Sequence, residues 1–279
     1  MIKLPVNQWI YNEFIRTQNL VSKNLEIFRF DEATKYVYQF VWHSYCDWYL
    51  EFLKPIFSSK SKPDIEEARL FSSFMMANIL KLLHPFIPFF TESVWSKNSY
   101  KKVFKNNLIS TEWPEFKKSK KFNKNHDDIN NIIEFISSIR STKAELKVTP
   151  KLFCDIFFDE KTSKLNLLVK KNITLVKQVG RINNILDNKE INKNTIKILT
   201  LNEKVLLKFS EDIDLVSQKQ SILHKLTNIE KQKNIIKNKL TNKAFLKNAP
   251  KDIVENDKRL LGELTIEDEK LRSIVTSIN

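Results

Sequence analysis

Glycine and cysteine are scarce in this chain, with only 2 of each among 279 residues. Phosphate-binding loops need closely spaced glycines, and Gly180 and Gly262 are far apart, so no nucleotide-binding loop can be identified. Cys46 and Cys154 match no Cys-x-x-Cys spacing, which excludes a disulfide framework or a zinc site of that type. This cysteine usage favours a reducing compartment, and we expect a cytoplasmic protein.

The sequence also has no long apolar run and has fewer acidic than basic residues. No apolar run approaches the roughly 20 residues of a membrane span, so we expect no membrane association. Lys and Arg total 47 against 33 Asp and Glu, a net charge of +14 that favours a polyanionic partner. The excess is uneven, because residues 1–100 are nearly neutral whereas residues 219–251 hold nine lysines and the single acid Glu230.

The first hundred residues show helical periodicity with many aromatic side chains. Apolar residues recur from Ala33 to Phe52, and they predict a core helix that includes Trp48, is capped by Asp31 and ends at Pro55. Similar spacing predicts further helices over 6–20, 68–82 and 89–95, which together indicate a helical bundle. The aromatic run from Phe86 to Trp95 could stack on bases, but its spacing favours burial in the core.

A lysine-rich linker over 117–121 separates this bundle from a more mixed segment. The isoleucines between Ile129 and Ile139 predict a helix, and residues 152–158 predict a short strand. Helical spacing returns over 165–179, and residues 195–201 and 204–209 resemble two strands joined without the preferred glycine. We therefore expect a small α/β module over 126–210.

The C-terminal residues carry the clearest regularity. Apolar positions alternate spacings of four and three from Leu215 to Leu240 and again from Ile253 to Ile278, and Ala249-Pro250 interrupts them. This pattern predicts an antiparallel helical hairpin. Its lysines could follow phosphates or could form the solvated face of a coiled coil, and charge alone does not decide between the two.

Several residues with chemical potential are better explained by structure. His43 and Cys46 lie three apart with no second pair of ligands nearby, and tetrahedral zinc needs four donors. Asp47 and Glu51 share a helix face but have no nucleophile or oxyanion donors beside them. His84 is expected to pack against or cap the end of its helix. We expect no metal site and no catalytic residues.

Three segments resemble the C-terminal region of valyl-tRNA synthetases. Residues 82–95 (LLHPFIPFFTESVW) are similar to an anticodon-binding-domain segment shared by the valine, leucine and isoleucine enzymes. The choice of the valine family depends on residues 40–42 (FVW) with 46–51 (CDWYLE), and on residues 240–250 (LTNKAFLKNAP). In that family the last segment lies at the tip of a coiled-coil arm. Arg140 to Glu145 also resembles a family stretch.

The resemblance implies a mainly α fold: a helical anticodon-binding bundle over 1–125, the α/β module, and a tRNA-binding arm over 211–279. The residues expected to bind tRNA fall in two regions: in the arm Lys233, Lys237, Lys239, Lys243, Phe245 and Lys247, and more weakly in the bundle Arg16 and Arg29. Phe245 could close the tip as an apolar latch or pack on exposed bases of the tRNA elbow.

The ATP-binding signatures of class I synthetases are absent from this chain, and so is the family's editing domain. The resemblance therefore implies no cofactor here, with ATP and Mg²⁺ belonging to a separate catalytic part, and the chain alone should not activate valine. Expected partners are tRNA, specifically valine tRNA, and that catalytic part, without DNA and as a monomer. The alternatives are a free-standing tRNA-binding or chaperone protein and a coiled-coil interaction protein that binds no RNA.

Overall fold

A computed structural model describes residues 2–117, 120–159, 162–186, 195–209, 215–242, 245, 247 and 249–278. Its contacts divide the chain into two compact units, Met1–Ile133 and Glu134–Asn279. The sequence predicts three domains, with separate module and arm, and that finer division stays a prediction. Within the described residues, no helix is both long enough and apolar enough to cross a bilayer.

The first unit is helical, as the periodicity predicts. Its α-helices are α1 Pro5–Glu26, α2 Phe30–Gln39, α3 Leu50–Phe57, α4 Lys62–Leu83, α5 Pro88–Lys97 and α6 Tyr100–Phe104. A π-helical segment, Phe40–Tyr49, joins α2 to α3, and short 3₁₀ turns occupy Leu108–Ser110 and Lys120–Phe122. Helix α7, Asn123–Glu145, begins in this unit and ends in the second.

Aromatic side chains fill the core of this bundle. Trp95 is fully buried, and its indole N–H donates to the Asn106 carbonyl at 3.1 Å. The Tyr49 hydroxyl, also fully buried, donates to Asn7 Oδ1 at 2.8 Å. Buried aromatic groups with satisfied polar atoms contribute large apolar areas without a desolvation penalty, so they anchor the packing of these helices.

The predicted helix between Asp31 and Pro55 is wrong at both ends. Asp31 lies within the first turn of α2, after the N-cap residue Arg29. Pro55 lies inside α3, which continues for two more residues to Phe57. Pro55 removes one hydrogen bond from the ladder, and the helix nevertheless continues past it. The π-helical turns of the middle segment also shift the periodicity that the sequence suggested.

The prediction of aromatic burial is wrong for Trp48 and only partly right for the run from Phe86 to Trp95, of which Trp95 is buried. Trp48 is only half-buried and packs with its ring centroid 5.7 Å from that of Phe52. In the run from Phe86 to Trp95, Phe89 is 91% exposed and Phe90 is 61% exposed. Helix α5 is short and turns only its Thr91–Trp95 stripe toward the core, which leaves its first-turn rings in solvent.

The second unit begins in α7 and contains a four-stranded mixed sheet. Its strands are β1 Cys154–Phe158, β2 Ile182–Leu186, β3 Thr195–Thr200 and β4 Glu203–Phe209. The sheet order is β2-β1-β4-β3, with β1 parallel to β2 and antiparallel to β4, and with β3 antiparallel to β4. The parallel pair is connected by helices α8 Lys164–Lys171 and α9 Ile173–Gly180.

This α/β module confirms the predicted strands and corrects three details. Strand β2 was missed because its burial is confined mainly to Ile182. The single helix predicted over 165–179 is two helices that meet at Asn172. The β3–β4 turn is formed by Leu201 and Asn202, at φ of 49° and 61°, which is the left-handed geometry of a two-residue hairpin made without glycine.

The predicted hairpin consists of α10, Leu215–Thr241, and α11, Lys251–Ser277. Pro250 is the N-cap of α11, as the sequence suggested for a break between two heptad segments. Each helix has 27 residues. At ~1.5 Å per residue each is about 40 Å long. The two helices contact each other along the hairpin, and α11 also packs against β3.

Replacing Trp95 and Trp48 in turn compares the stability contributed by a buried ring with that of a partly exposed one. We expect Trp95→Ala to lower the free energy of unfolding by about 3–5 kcal/mol, through lost burial and the cavity left behind. Trp48→Ala removes only partly buried area and should cost about half as much. Urea unfolding of both variants measures the difference, and equal losses would contradict the placement of Trp48.

A histidine–carboxylate pair joins α1 to α7. His126 Nε2 lies 2.7 Å from Glu13 Oε1, and both side chains are largely buried. The hydrogen bond with Glu13 raises the pKa of His126 above its ordinary 6.5 despite burial. Burial opposes ionisation of Glu13, but the bond with His126 and the Arg16 charge lower the pKa of Glu13 below 4.5. Asp127 also faces the imidazole.

This pair makes stability depend on pH in a defined direction. The His126 contribution is complete below pH 6.5, its ordinary pKa, and is lost as pH rises through the raised value. The Glu13 contribution is complete above pH 4.5 and is lost as pH falls through the lowered value. Unfolding free energies should therefore be greatest between these limits. His126→Gln should flatten the alkaline decline, and an unchanged decline in this variant would contradict the assignment.

Candidate nucleic-acid interface

The arm is held together by a narrow apolar seam. Ile222, Leu226, Ile229 and Ile236 of α10 are buried, as are Leu264, Leu271 and Ile274 of α11. Toward the tip the seam opens, because Ile253 is 46% exposed and Leu260 is 39% exposed. The buried apolar positions thus face inward at heptad spacing, and most of the remaining positions of both helices carry polar side chains.

Lys233 occupies a seam position and is already paired. Its ammonium lies 3.1 Å from Asp268 Oδ2, with the two side chains 14% and 11% exposed. Arg272 Nε donates to the other oxygen of Asp268 at 3.0 Å. Burial opposes ionisation of Asp268, but the bonds from Arg272 and Lys233 keep its pKa low. Lys233 therefore stabilises the hairpin, although the sequence places it among the residues expected to bind tRNA.

Two more lysines of α10 are committed to intramolecular contacts nearer the base. Lys219 Nζ donates to the Ile278 carbonyl at 2.5 Å, across the open end of the hairpin. Lys225 Nζ lies 2.7 Å from Glu145 Oε1 of α7 and 2.8 Å from Glu267 Oε1 of α11. The two carboxylates offset the charge of Lys225, whereas the carbonyl only occupies a hydrogen-bond donor of Lys219.

The lysines nearer the tip are different. Lys237, Lys239 and Lys247 are all exposed, while Lys243 lies outside the described residues. The two lysines on α10 occur within its last five residues, beyond the seam residue Ile236. Exposed ammonium groups on a hairpin about 40 Å long can reach phosphates by electrostatic attraction, which needs no fixed hydrogen-bond geometry.

Helix α11 adds basic residues that sequence reasoning missed. Lys258 is exposed, and Arg259, with its side chain 73% exposed, bonds to Asn256 and lies 3.8 Å from Glu263. Both fall in the first turns of α11, near the tip. Acidic residues alternate with basic ones after Lys251, so no lysine-rich run marks these two residues in the sequence.

Local hydrogen bonds shape the tip. The Asn242 side chain accepts from the Phe245 amide at 3.3 Å, and the Ala249 amide donates to the Phe245 carbonyl at 2.8 Å. Phe245 is half-buried. These bonds explain why Asn242 and Ala249-Pro250 accompany the break between the helices. The latch and base-platform interpretations of Phe245 both stay predictions.

The bundle residues selected from the sequence are exposed but paired. Arg16, 70% exposed, bonds to Glu13 at 3.0 Å. Arg29 bonds to Asp31 at 3.1 Å and lies 3.7 Å from Glu32. Each arginine therefore has an acidic neighbour that offsets its positive charge locally.

Exposed rings are a further feature of the bundle surface that sequence reasoning missed. Tyr38 and Trp42 are 60% and 54% exposed, and their rings are parallel within 4° with centroids 6.3 Å apart. Phe28 and Phe30 are 78% and 55% exposed. Such rings can stack on unpaired bases, and this chemistry needs no excess of positive charge.

The described residues contain no group of three or more His, Cys, Asp or Glu side chains that could hold a metal ion. The glycines at 180 and 262 are too far apart to form a phosphate loop. His43 pairs with Asp47 at 3.4 Å, and His84 Nδ1 lies 2.8 Å from Thr91 Oγ1, so both histidines have local structural partners.

Two protein families match this chain over different residues. A family described as the anticodon-binding domain of tRNA ligase matches residues 7–158. The chain belongs to this tRNA ligase anticodon-binding family. A second family, described as the valyl tRNA synthetase tRNA binding arm, matches residues 212–279. The anticodon-binding family match thus includes the bundle, and the arm family matches the hairpin.

Relatives of this anticodon-binding protein match it over nearly its whole length. A valine–tRNA ligase of Pelagibacter ubique is 37% identical over 97% of this chain and 31% of its own length. Those of Rhizobium meliloti and Agrobacterium fabrum are 30% and 28% identical over 96% and 99% of this chain, and over 28% and 29% of their own lengths. The chain spans about a third of the length of these curated relatives.

The Lys233–Asp268 pair can be tested apart from any RNA. We expect Lys233→Ala to lower the stability of the arm by about 1–3 kcal/mol, because it deprives a buried carboxylate of one partner. Hydrogen exchange of the α10 and α11 amides measures this loss. The exposed Lys239→Ala is the matched control and should change exchange by less than about 0.5 kcal/mol. Equal effects would contradict the seam placement of Lys233.

Proposed function

We propose that this chain is the tRNA-binding C-terminal part of a valine–tRNA ligase, acting in the cytoplasm with the catalytic part of that enzyme. The observation that carries the proposal is the hairpin, whose buried seam leaves Lys237, Lys239 and Lys247 exposed near its tip. The order of an anticodon-binding domain followed by a tRNA-binding arm supports it. The valine–tRNA ligases that match both parts support the choice of amino acid.

The two parts divide the recognition of tRNA in this proposal. The arm binds the folded body of tRNA through phosphates, which RNA helices present by shape and not by sequence. The bundle, which carries exposed rings and whose first hundred residues are nearly neutral, selects the anticodon bases. Affinity then comes mainly from the arm and discrimination from the bundle. Lys243 is included among the arm residues that bind phosphate by its position in the sequence.

The proposal is tested by removing the charge of the tip. In a Lys237→Gln, Lys239→Gln, Lys243→Gln, Lys247→Gln variant, binding of valine tRNA and of non-cognate tRNA should weaken by similar factors. The log–log salt dependence should flatten by about 0.7–0.9 units for each phosphate that the variant no longer neutralises. Filter binding over a range of KCl concentrations gives both the affinity and the slope.

A control variant removes the same type of charge elsewhere. Lys151, Lys164 and Lys204 are exposed lysines of the α/β module, and their triple substitution by Gln should leave affinity and slope near the wild-type values. Wild-type binding by the tip variant would show that the hairpin is a coiled coil without an RNA role. Equal weakening by both variants would show a response to net charge only.

A further inference from the structure

The root of the arm is joined to α7 by an ionic contact. Lys225 of α10 lies between Glu145, the last residue of α7, and Glu267 of α11, at 2.7 and 2.8 Å. The contact with Glu267 lies within the hairpin, whereas the contact with Glu145 links the hairpin to a helix outside it. Lys225 is 41% exposed and Glu145 is 24% exposed, so water weakens the pair without abolishing it.

The position of Glu145 argues that this contact is specific. A carboxylate at the C-terminus of a helix lies beside the negative end of the helix dipole, which disfavours it. The ammonium of Lys225 offsets this repulsion. Burial opposes the charged form of Lys225, but the hydrogen bonds that its ammonium donates to both carboxylates raise its pKa. Lys225 therefore remains charged at any physiological pH.

Packing around the contact is incomplete. A cavity of about 320 Å³ lies between α7, β3 and α11, and both Glu145 and Glu267 line it. Ile266, also in its lining, is 56% exposed. Where apolar side chains do not fill the space between two elements, the angle between the elements depends on the remaining directional contacts. The Lys225–Glu145 bond is such a contact.

We propose that Lys225 is a positioning residue for tRNA binding, which fixes the direction of the arm by joining it to Glu145. This inference rests on the proposed function, because the direction of the arm affects affinity only if tRNA contacts both the arm and the bundle. A ligand held at two places binds with an effective concentration that depends on their geometry. An arm that points in a wider range of directions therefore binds tRNA more weakly.

The central experiment compares variants on the two sides of the contact. Lys225→Gln and Glu145→Gln should each weaken tRNA binding about fivefold, and the double variant should be no weaker than either single one. Lys225→Arg should bind as wild type. The salt slope should stay unchanged in all of them, since each variant neutralises the same phosphates as the wild type. Glu267→Gln, the matched control, removes only the bond within the hairpin and should bind as wild type.

The charge of Glu145 decides between this role and direct RNA contact. If Lys225 contacted phosphate, Glu145→Gln would release it and leave binding equal or tighter, and Lys225→Gln would flatten the salt slope. Either result overturns the proposal. Retained binding by Lys225→Gln overturns it as well.

A second measurement does not depend on RNA. Spin labels at Asn183→Cys of β2 and Glu255→Cys of α11, in a Cys46→Ser background, report the distance between module and arm. Pulsed electron paramagnetic resonance should show a broader distance distribution for Lys225→Gln and Glu145→Gln than for the wild type or Glu267→Gln. If the wild type fails to bind tRNA but the distributions broaden, the proposed function is wrong, whereas the claim that the Lys225–Glu145 contact fixes the direction of the arm is supported. Distributions that do not broaden contradict that claim.

Discussion

Burial of one narrow apolar seam between α10 and α11 is the constraint on which the arm depends. Ile222, Ile229 and Ile236 point into it, so the helix positions between them must point away. The seam thus determines which lysines are exposed as well as whether the hairpin forms. Lys233 is a lysine at a seam position, and its buried charge is neutralised by Asp268.

This constraint produces a gradient of available charge along the hairpin. At the base, Lys219 and Lys225 are bound to groups of the protein itself. Toward the tip, Lys237 and Lys239 are exposed, and the seam beside them is more open. A coiled coil that merely needed solubility would gain little from this separation. For an arm that must hold a polyanion at a distance from its root, paired charges at the root and exposed charges at the tip are both useful.

The sequence predicted this architecture where periodicity is long and failed where it is short. Two heptad segments and Ala249-Pro250 sufficed for the hairpin, and the stripe from Ala68 to Leu82 sufficed for α4. The π-helical segment changed the phase around Trp48, so its burial could not be read from a period of 3.6 residues. Charge counts indicated the arm but could not distinguish its lysines, because Lys225 and Lys233 resemble Lys239 in sequence. Only the fold brings Glu145 and Glu267 to Lys225 and Asp268 to Lys233.

The central claim is that exposed lysines near the tip, and not lysines in general, hold tRNA. Lysine acetylation footprinting with mass spectrometry tests it directly, on the full chain with and without valine tRNA. The account predicts that bound tRNA protects Lys237, Lys239 and Lys247, while Lys225 and Lys233 keep the same low reactivity in both states. Protection spread evenly over exposed lysines of the bundle and module, with none concentrated at the tip, would contradict it.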